Sequence, residues 1–280
     1  MNFFSEIALP IVLFVIMIGI GLSTRLDDFK SLWKFPKAAI LGILSQLIIL
    51  PLVALFIAWV FNYNDDVTLG LLLLSLCPSG TGSNIITKMV KGNLALSVSL
   101  TTISSFKSLI TIPLFLNIFF LEIGKEIELD PWSMISQVFV LTIIPTLIGV
   151  VMGEKIPKLV EGTKKTLKWL LPGLLFGVFL AIMIFDEPKN QDVDITEMII
   201  PAILINVFSM LSSFVFVKLF KVEKQQALAI SIESGLKNSA IGLMIATTFF
   251  KIGTVELLIL AYSFISFYLT LGMSIVLRKW

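Results

Sequence analysis

The stretch AISIESGLKNSAIG, residues 229–242, places an acid and a base in one of the most apolar parts of the chain. Glu233 and Lys237 stand four residues apart, among two glycines, three serines and an asparagine. A charged side chain at the centre of a membrane helix costs about 2.5–3.5 kcal/mol on insertion scales. Such residues usually face a cavity and mark an ion or substrate path. The stretch predicts a functional site, and the alternative is a buried ion pair that only holds two helices together.

The composition around this stretch is that of an integral membrane protein. Hydrophobic residues make up 57% of the 280 and charged residues 14%, with a mean hydropathy of +0.99. Soluble domains carry about 25% charged residues. The sequence has no histidine and one cysteine, Cys77, which excludes histidine metal sites, histidine proton relays, an internal disulfide and a cysteine metal cluster. We interpret Cys77 as a small buried residue.

Hydropathy divides the chain into helices of membrane-spanning length. Because a hydrocarbon core about 30 Å thick needs roughly 20 apolar residues per helix, we predict nine spans within a single membrane domain, residues 1–280. They lie at about 4–23, 38–61, 67–87, 93–121, 133–153, 169–186, 198–218, 225–249 and 253–277. The first span has neither a basic leader nor a cleavage site, so we expect a retained helix and not a signal peptide.

The basic residues indicate how these spans are oriented. Alternate connections carry 16 of the 21 lysines and arginines, whereas the other set carries only Lys125, Lys189 and Lys251. The positive-inside rule then predicts an external N-terminus and a cytoplasmic C-terminus. We expect a multi-pass protein of the cell membrane, the inner membrane if the source is a bacterium.

A second polar interruption, CPSGTGSN at residues 77–84, lies in the middle of the third span. Pro78 removes a backbone donor, and Gly80 and Gly82 weaken helix propagation. Taken alone, the segment is equally compatible with a simple proline kink. Opened backbone inside a membrane is tolerated where it is buried in protein or lines a water-filled cavity.

Taken together, the two interruptions predict an inverted repeat. SGTGSN at 79–84 and SGLKNS at 234–239 lie in the third and eighth spans, which cross the membrane in opposite senses. Broken helices at matching positions of two inverted halves are typical of the binding site of a secondary transporter. Half-helix ends offer partial positive charge to anions, and freed carbonyls offer oxygen to cations.

Hydroxyl side chains follow the first interruption along one face of the fourth span. They are Ser97, Thr101, Ser104, Ser105 and Ser108. Ser97 and Thr101 lie beside the interruption and are candidate cation ligands. The other three are equally compatible with hydrogen bonds to their own helix or with close packing. Lys107, beside this stripe, is expected either to bind a substrate carboxylate or to extend toward the membrane surface.

These segments resemble the bile acid:sodium symporters and their bacterial relatives. The resemblance lies in CPSGTGSNIITKMVKGNLALSVSLTTIS at 77–104, in IESGLKNSAIG at 232–242 and in GIGLSTRLDDF at 19–29. It implies an all-α inverted-repeat transporter in which the two broken helices cross at mid-membrane. It further implies a core domain of 38–121 and 198–277 and a panel domain of 1–37 and 122–197.

The resemblance also implies ion and substrate ligands. A first sodium site corresponds to Ser83, Asn84, Ser97, Thr101 and Glu233. A second corresponds to Gln46, Glu233, the carbonyls of Ser234 and Leu236, and position 237. The residues we expect to contact substrate belong to the interruptions or lie beside them, namely Thr81, Gly82, Asn238, Ser239 and Lys107.

Position 237 departs from the family, in which it holds a glutamine. Lysine has three donors and no acceptor, and an ammonium about 4 Å from sodium costs roughly 4 kcal/mol at an effective dielectric of 20. We therefore expect the Lys237 ammonium to replace the second sodium and to neutralise Glu233. The alternative is a buried lysine that takes up and releases a proton during transport.

We predict a secondary active transporter of small organic anions, bile-acid-like or other carboxylates, that works by alternating access. One sodium is the expected coupling ion, and no other cofactor and no nucleic acid are expected. The alternative is a proton-coupled or ion-independent carrier in which the Lys237 ammonium stands in for sodium. We do not expect an enzyme, although Lys237 with Ser231, Ser234 or Ser239 has the composition of a Ser–Lys dyad. The protein is expected to function as a monomer in the lipid bilayer.

Overall fold

The structure, a computed structural model, describes residues 3–23, 34–80, 82–123, 131–186 and 195–280. Within these ranges the chain is helical apart from short connections, and the extended pairing is limited to one bridge between Ser79 and Lys237. Five of the described helices are long and apolar enough to cross a membrane. Large apolar side chains such as Trp59 and Leu121, each 77% exposed, lie on their outer faces. The all-α membrane class is therefore confirmed.

The helices follow the predicted spans in order. They are α1 Leu9–Ser23, α2 Pro36–Val60, α3 Asp65–Leu76, α4 Gly82–Met89, α5 Leu94–Glu122, α6 Trp132–Lys155, α7 Pro157–Phe185, α8 Ile195–Leu219, α9 Lys224–Gly235, α10 Ser239–Phe250 and α11 Gly253–Leu277. The predicted third span is divided into α3 and α4, and the predicted eighth span into α9 and α10. Both predicted interruptions are thus present.

Three of the π-helical turns that the structure describes stand at a fixed distance before a proline. The proline ring clashes with the carbonyl four residues earlier and brings no N–H, and a wider turn relieves the clash by shifting the hydrogen-bond register. The pairs are Phe4–Ala8 with Pro10, Ser45–Ile49 with Pro51, and Phe139–Ile143 with Pro145.

The π-helical turn in α2 frees a backbone carbonyl beside the interruptions. The Leu50 N–H bonds to the carbonyl of Ser45, five residues earlier. In the same register the Gln46 carbonyl requires an N–H from residue 51, which is a proline. That carbonyl is therefore left for a donor from elsewhere in the molecule.

The two interrupted regions are built alike. α3 and α9 each have 12 residues. Each begins three positions after a non-glycine residue with positive φ, Asn62 at 51° and Lys221 at 57°. Shortly after the second half of each broken helix the chain again turns through a left-handed lysine, Lys91 at 61° and Lys251 at 54°. The repeated spacing supports two structurally related halves.

α1 and α6 approach each other closely through glycines. A Cβ added to Gly21 would lie 2.1 Å from the Thr146 carbonyl oxygen, and one added to Gly149 would lie 2.2 Å from that of Ile18. Small residues permit such backbone contact between membrane helices. Two apolar clusters contain residues of the broken helices, and the larger one also includes residues of α1 and α6. One includes Leu74 and Ile241 and the other includes Ile86 and Ile230.

Candidate functional site

The two helix interruptions hydrogen-bond to each other. The Gly80 N–H donates to the Leu236 carbonyl at 2.9 Å, and the Asn238 N–H donates to the Pro78 carbonyl at 2.8 Å. Since exposed backbone groups are costly in a bilayer, each interruption supplies the partners that the other one lacks. The interruptions therefore form one buried crossing point.

Gly82 permits close packing at the crossing, whereas Gly80 has room for a Cβ. A Cβ on Gly80 would lie 3.4 Å from the Lys237 carbonyl oxygen, and a Cβ on Gly82 would lie 2.8 Å from Cδ2 of Leu236. Gly82, one of the predicted substrate contacts, is the first residue of α4 and packs under Leu236. The predicted contact Thr81 lies outside the described residues.

Two side chains that sequence reasoning missed hold the second interruption open. The carbonyl of Gly235, the last residue of α9, accepts hydrogen bonds from the Tyr262 hydroxyl and from Nδ2 of Asn206, the latter at 2.7 Å. The Tyr262 hydroxyl in turn accepts from the Lys237 N–H at 2.9 Å. Asn206 is the single amide of α8, whereas α11 carries a second tyrosine, Tyr268, so the sequence does not single out Tyr262.

The Glu233 carboxylate lies fully buried among hydroxyl groups. Its Oε1 accepts from Ser83 Oγ at 2.5 Å and from Ser97 Oγ at 2.6 Å. Its Oε2 accepts from Thr101 Oγ1 at 2.8 Å. Asn84 Oδ1 lies 2.8 Å from Ser97 Oγ. The five residues predicted for the first sodium site, carried by α4, α5 and α9, thus come together.

This cluster holds more oxygen atoms than its protons can join. Ser97 has one hydroxyl proton, yet Glu233 Oε1, Asn84 Oδ1 and Thr87 Oγ1 lie 2.6, 2.8 and 3.3 Å from its Oγ. Ser97 can therefore donate to Glu233 Oε1 or to Asn84 Oδ1, but not to both. Carboxylate, hydroxyl and amide oxygens are the ligands that hard cations prefer. The cluster therefore has the composition of a cation site. Thr87 also lies in this cluster, although the sequence did not indicate it.

Gln46 and Lys107 lie on the other side of the crossing. Gln46 Nε2 donates to Ser79 Oγ at 3.5 Å, and Ser79 Oγ donates to the Glu233 carbonyl at 2.9 Å. Lys107 Nζ donates to the Gln46 carbonyl at 3.2 Å, the group that the π-helical turn and Pro51 leave free. Half-buried Lys107 is therefore directed toward the crossing.

Lys237 is buried, with 5% of its surface exposed. Within the part of the chain that the structure describes, its Nζ has no hydrogen-bond partner. The Glu233 carboxylate is instead bonded to hydroxyl groups. The expected neutralisation of Glu233 by Lys237 therefore does not involve a hydrogen bond between the two side chains. An ammonium without a partner is an expensive buried group.

The remaining predicted residues form hydrogen bonds within their own helix, at the crossing of the interruptions or at the start of α10. Ser104, Ser105 and Ser108 donate to carbonyls of their own helix, as one interpretation of the stripe anticipated, and Ser104 Oγ also accepts from the Ser79 N–H at 3.1 Å. Asn238 caps α10 by accepting from the Ile241 N–H at 3.3 Å. Ser239, 8% exposed, is the first residue of α10.

Comparison with known proteins places this arrangement in a family. The model of the sodium bile acid symporter family matches residues 10–187, more than half of the chain. The chain belongs to the sodium bile acid symporter family. It is 30% identical over 246 residues to the uncharacterized sodium-dependent transporter YocS of Bacillus subtilis (strain 168), a match that spans 87% of this chain and 74% of that protein.

Other relatives in the sodium bile acid symporter family come from plants and animals. The probable sodium/metabolite cotransporter BASS1, chloroplastic, of Arabidopsis thaliana is 27% identical over 240 residues, 84% of this chain and 58% of its own length. The hepatic sodium/bile acid cotransporter of Rattus norvegicus is 28% identical over 237 residues, 83% of this chain and 65% of its own length. This chain therefore spans less than two thirds of these two relatives.

Proposed function

We propose that this member of the sodium bile acid symporter family is a secondary active transporter of small organic anions that is coupled to sodium through one cation site. The observation that carries the proposal is the buried carboxylate of Glu233, surrounded by hydroxyl and amide oxygens at the crossing of two broken helices. A carboxylate in that position binds a cation in the interior, and opened half-helices beside it bind an anion.

The cation site consists of Ser83, Asn84, Ser97, Thr101 and Glu233. Sodium among these oxygens relieves the shortage of protons around Ser97 and balances the carboxylate charge. Because the ligands come from α4, α5 and α9, bound sodium fastens both broken helices to α5. Occupancy by sodium then changes the stability of the crossing, which is the differential interaction that coupling requires.

Lys237 takes the place of a second sodium. Its backbone is bridged to Ser79, which contacts both Gln46 and the Glu233 backbone, so Lys237 lies at the same crossing. A sodium about 4 Å from that ammonium is disfavoured by roughly 4 kcal/mol, near a thousandfold in affinity. One bound sodium and one fixed ammonium then supply the two positive charges that two sodium ions supply in the family pattern.

The architecture suits alternating access. We propose nine crossings, with the N-terminus outside, and a core of 38–121 and 198–277 that moves against a panel of 1–37 and 122–197. Backbone pairing between the interruptions supports a core that moves as one body. The glycine contact supports close packing of α1 on α6 within the proposed panel.

Reconstituted uptake tests the proposal. Proteoliposomes receive a sodium gradient or a proton gradient separately, and accumulation of a mixture of labelled carboxylates is measured. Thr101→Ala should raise the sodium concentration for half-maximal uptake at least tenfold, whereas Thr102→Ala, whose hydroxyl bonds only to its own helix at Val98, should leave it unchanged. Uptake that follows the proton gradient, or neither gradient, would replace sodium coupling by the carrier in which Lys237 alone supplies the charge.

A further inference from the structure

Two lysines lie at the same crossing, Lys107 on α5 and Lys237 in the second interruption. Lys107 Nζ donates to the Gln46 carbonyl at 3.2 Å, the Gln46 side chain contacts Ser79 Oγ at 3.5 Å, and Ser79 is bridged to Lys237. Three successive contacts thus connect the two positions. Neither ammonium is saturated, because Lys107 uses one of its three donors in this bond and Lys237 Nζ uses none among the described residues.

Among the described residues, fewer buried carboxylates than lysines lie at the crossing. Two acidic side chains are buried in the described part of the chain, Glu233 and Glu256. Glu256 lies in the first turn of α11, six residues or about 9 Å along the helix axis from Tyr262 at the crossing. The helix dipole favours a carboxylate in that position. Among the described residues, Glu233 is therefore the one buried acid at the crossing.

The charges at the crossing have a consequence for the substrate. With sodium bound beside Glu233 and balancing its charge, Lys237 and Lys107 are left as two positive charges without partners. Burying unpaired charge is costly, and the cost is removed when an opposite charge binds beside it. A monocarboxylate would leave one of the two unbalanced, whereas a dicarboxylate would balance both.

We infer that the transported anion is a dicarboxylate whose two carboxylate groups are held by Lys237 and Lys107, an inference that rests on the proposed function. Lys237 holds one carboxylate at the deepest point of the crossing. Lys107, half-buried and already positioned by the Gln46 carbonyl, holds the other. The π-helical turn before Pro51 acts as a positioning device, since it provides the carbonyl that aims Lys107.

The test compares two acids of equal chain length. Uptake of labelled succinate and of labelled butyrate is measured in proteoliposomes under a sodium gradient, with each acid also tried as competitor for the other. The wild-type protein should favour succinate at least tenfold in kcat/KM. Lys107→Gln should abolish that preference, because it lowers kcat/KM for succinate more than it lowers kcat/KM for butyrate. Lys88→Gln, an exposed lysine at the end of α4, is the matched control and should keep the wild-type preference.

A binding measurement keeps the outcome independent of transport. Succinate with sodium should raise the Tm of the purified protein more than butyrate with sodium, and Lys107→Gln should remove the difference. Sodium-driven uptake of butyrate that succinate does not inhibit would overturn the dicarboxylate and leave the proposed function standing. A Tm that rises with sodium but with neither acid would also overturn it. A protein that responds to neither sodium nor any acid would contradict the proposed function itself.

Discussion

At the scale of single residues, Glu233 joins two tasks. Its carboxylate receives hydrogen bonds from hydroxyls on α4 and α5, so it stabilises the packing of three helices. The same oxygens form the cation site that we propose. A substitution that keeps the size of the side chain but removes its charge distinguishes ligation from packing.

Glu233→Gln should abolish the response to sodium. The amide retains one acceptor but directs two N–H groups at neighbouring hydroxyls, and loss of hydrogen bonds to a charged group costs about 1.5–3 kcal/mol each. The measurement is the sodium-induced shift in Tm, together with sodium-driven uptake. Glu256→Gln, a buried acid away from the crossing, is the control and should respond to sodium like the wild type. A Glu233→Gln protein with an intact sodium response would show that the carboxylate only packs.

Lys237→Gln should create a second sodium site. Glutamine supplies a side-chain oxygen and removes the ammonium that repels a cation. The Hill coefficient of sodium-driven uptake should rise from about one toward about two, the number of sites setting its limit. A coefficient that stays near that of the wild-type protein would count against Lys237 as a substitute for sodium.

At the scale of elements, the sequence predicts the two helix interruptions but not the side chains that hold the second one open. Pro78, Gly80 and Gly82 break a helix by local chemistry, so their effect is visible without neighbours. Asn206 and Tyr262, which bond to the Gly235 carbonyl, act over long sequence separations and give no local pattern. The gathering of cation ligands around Glu233 was expected from the resemblance to a family, since hydroxyls in an apolar helix also bond to their own backbone, as Ser104 does.

The glycine contact between α1 and α6 provides a prediction at the same scale. Gly149→Ala forces the two backbones apart, because its Cβ would meet the Ile18 carbonyl at 2.2 Å. Overpacking of this kind costs about 1–3 kcal/mol, and thermal unfolding in detergent should show a lowered Tm. Gly177→Ala is the matched control, since a Cβ there has no atom within 4 Å, and its higher helix propensity should leave the Tm unchanged or raised. Equal effects of the two substitutions would contradict close packing of α1 on α6.

At the scale of the whole molecule, the distribution of lysine and arginine fixes the proposed orientation, and the single cysteine makes it simple to measure. Cys77 is buried, so a cysteine introduced elsewhere is labelled against a low background. Asn62 and Lys279 are both exposed, at opposite ends of the proposed arrangement.

A membrane-impermeant maleimide should label Asn62→Cys in intact cells and should label Lys279→Cys only after the membrane is permeabilised. Nine crossings put these two positions on opposite sides, with the C-terminus in the cytoplasm. The reverse pattern would invert the proposed topology, and labelling of both positions from outside would require an even number of crossings between them.

Because the two interruptions hydrogen-bond to each other, the first cannot be completed until the second has been synthesised. The Pro78 carbonyl and the Gly80 N–H are translated long before Asn238 and Leu236, their partners. At about 5–20 residues per second, the nascent first half waits on the order of ten seconds for them. During that interval the Pro78 carbonyl and the Gly80 N–H need other hydrogen-bond partners, because unpaired backbone groups are costly in the bilayer.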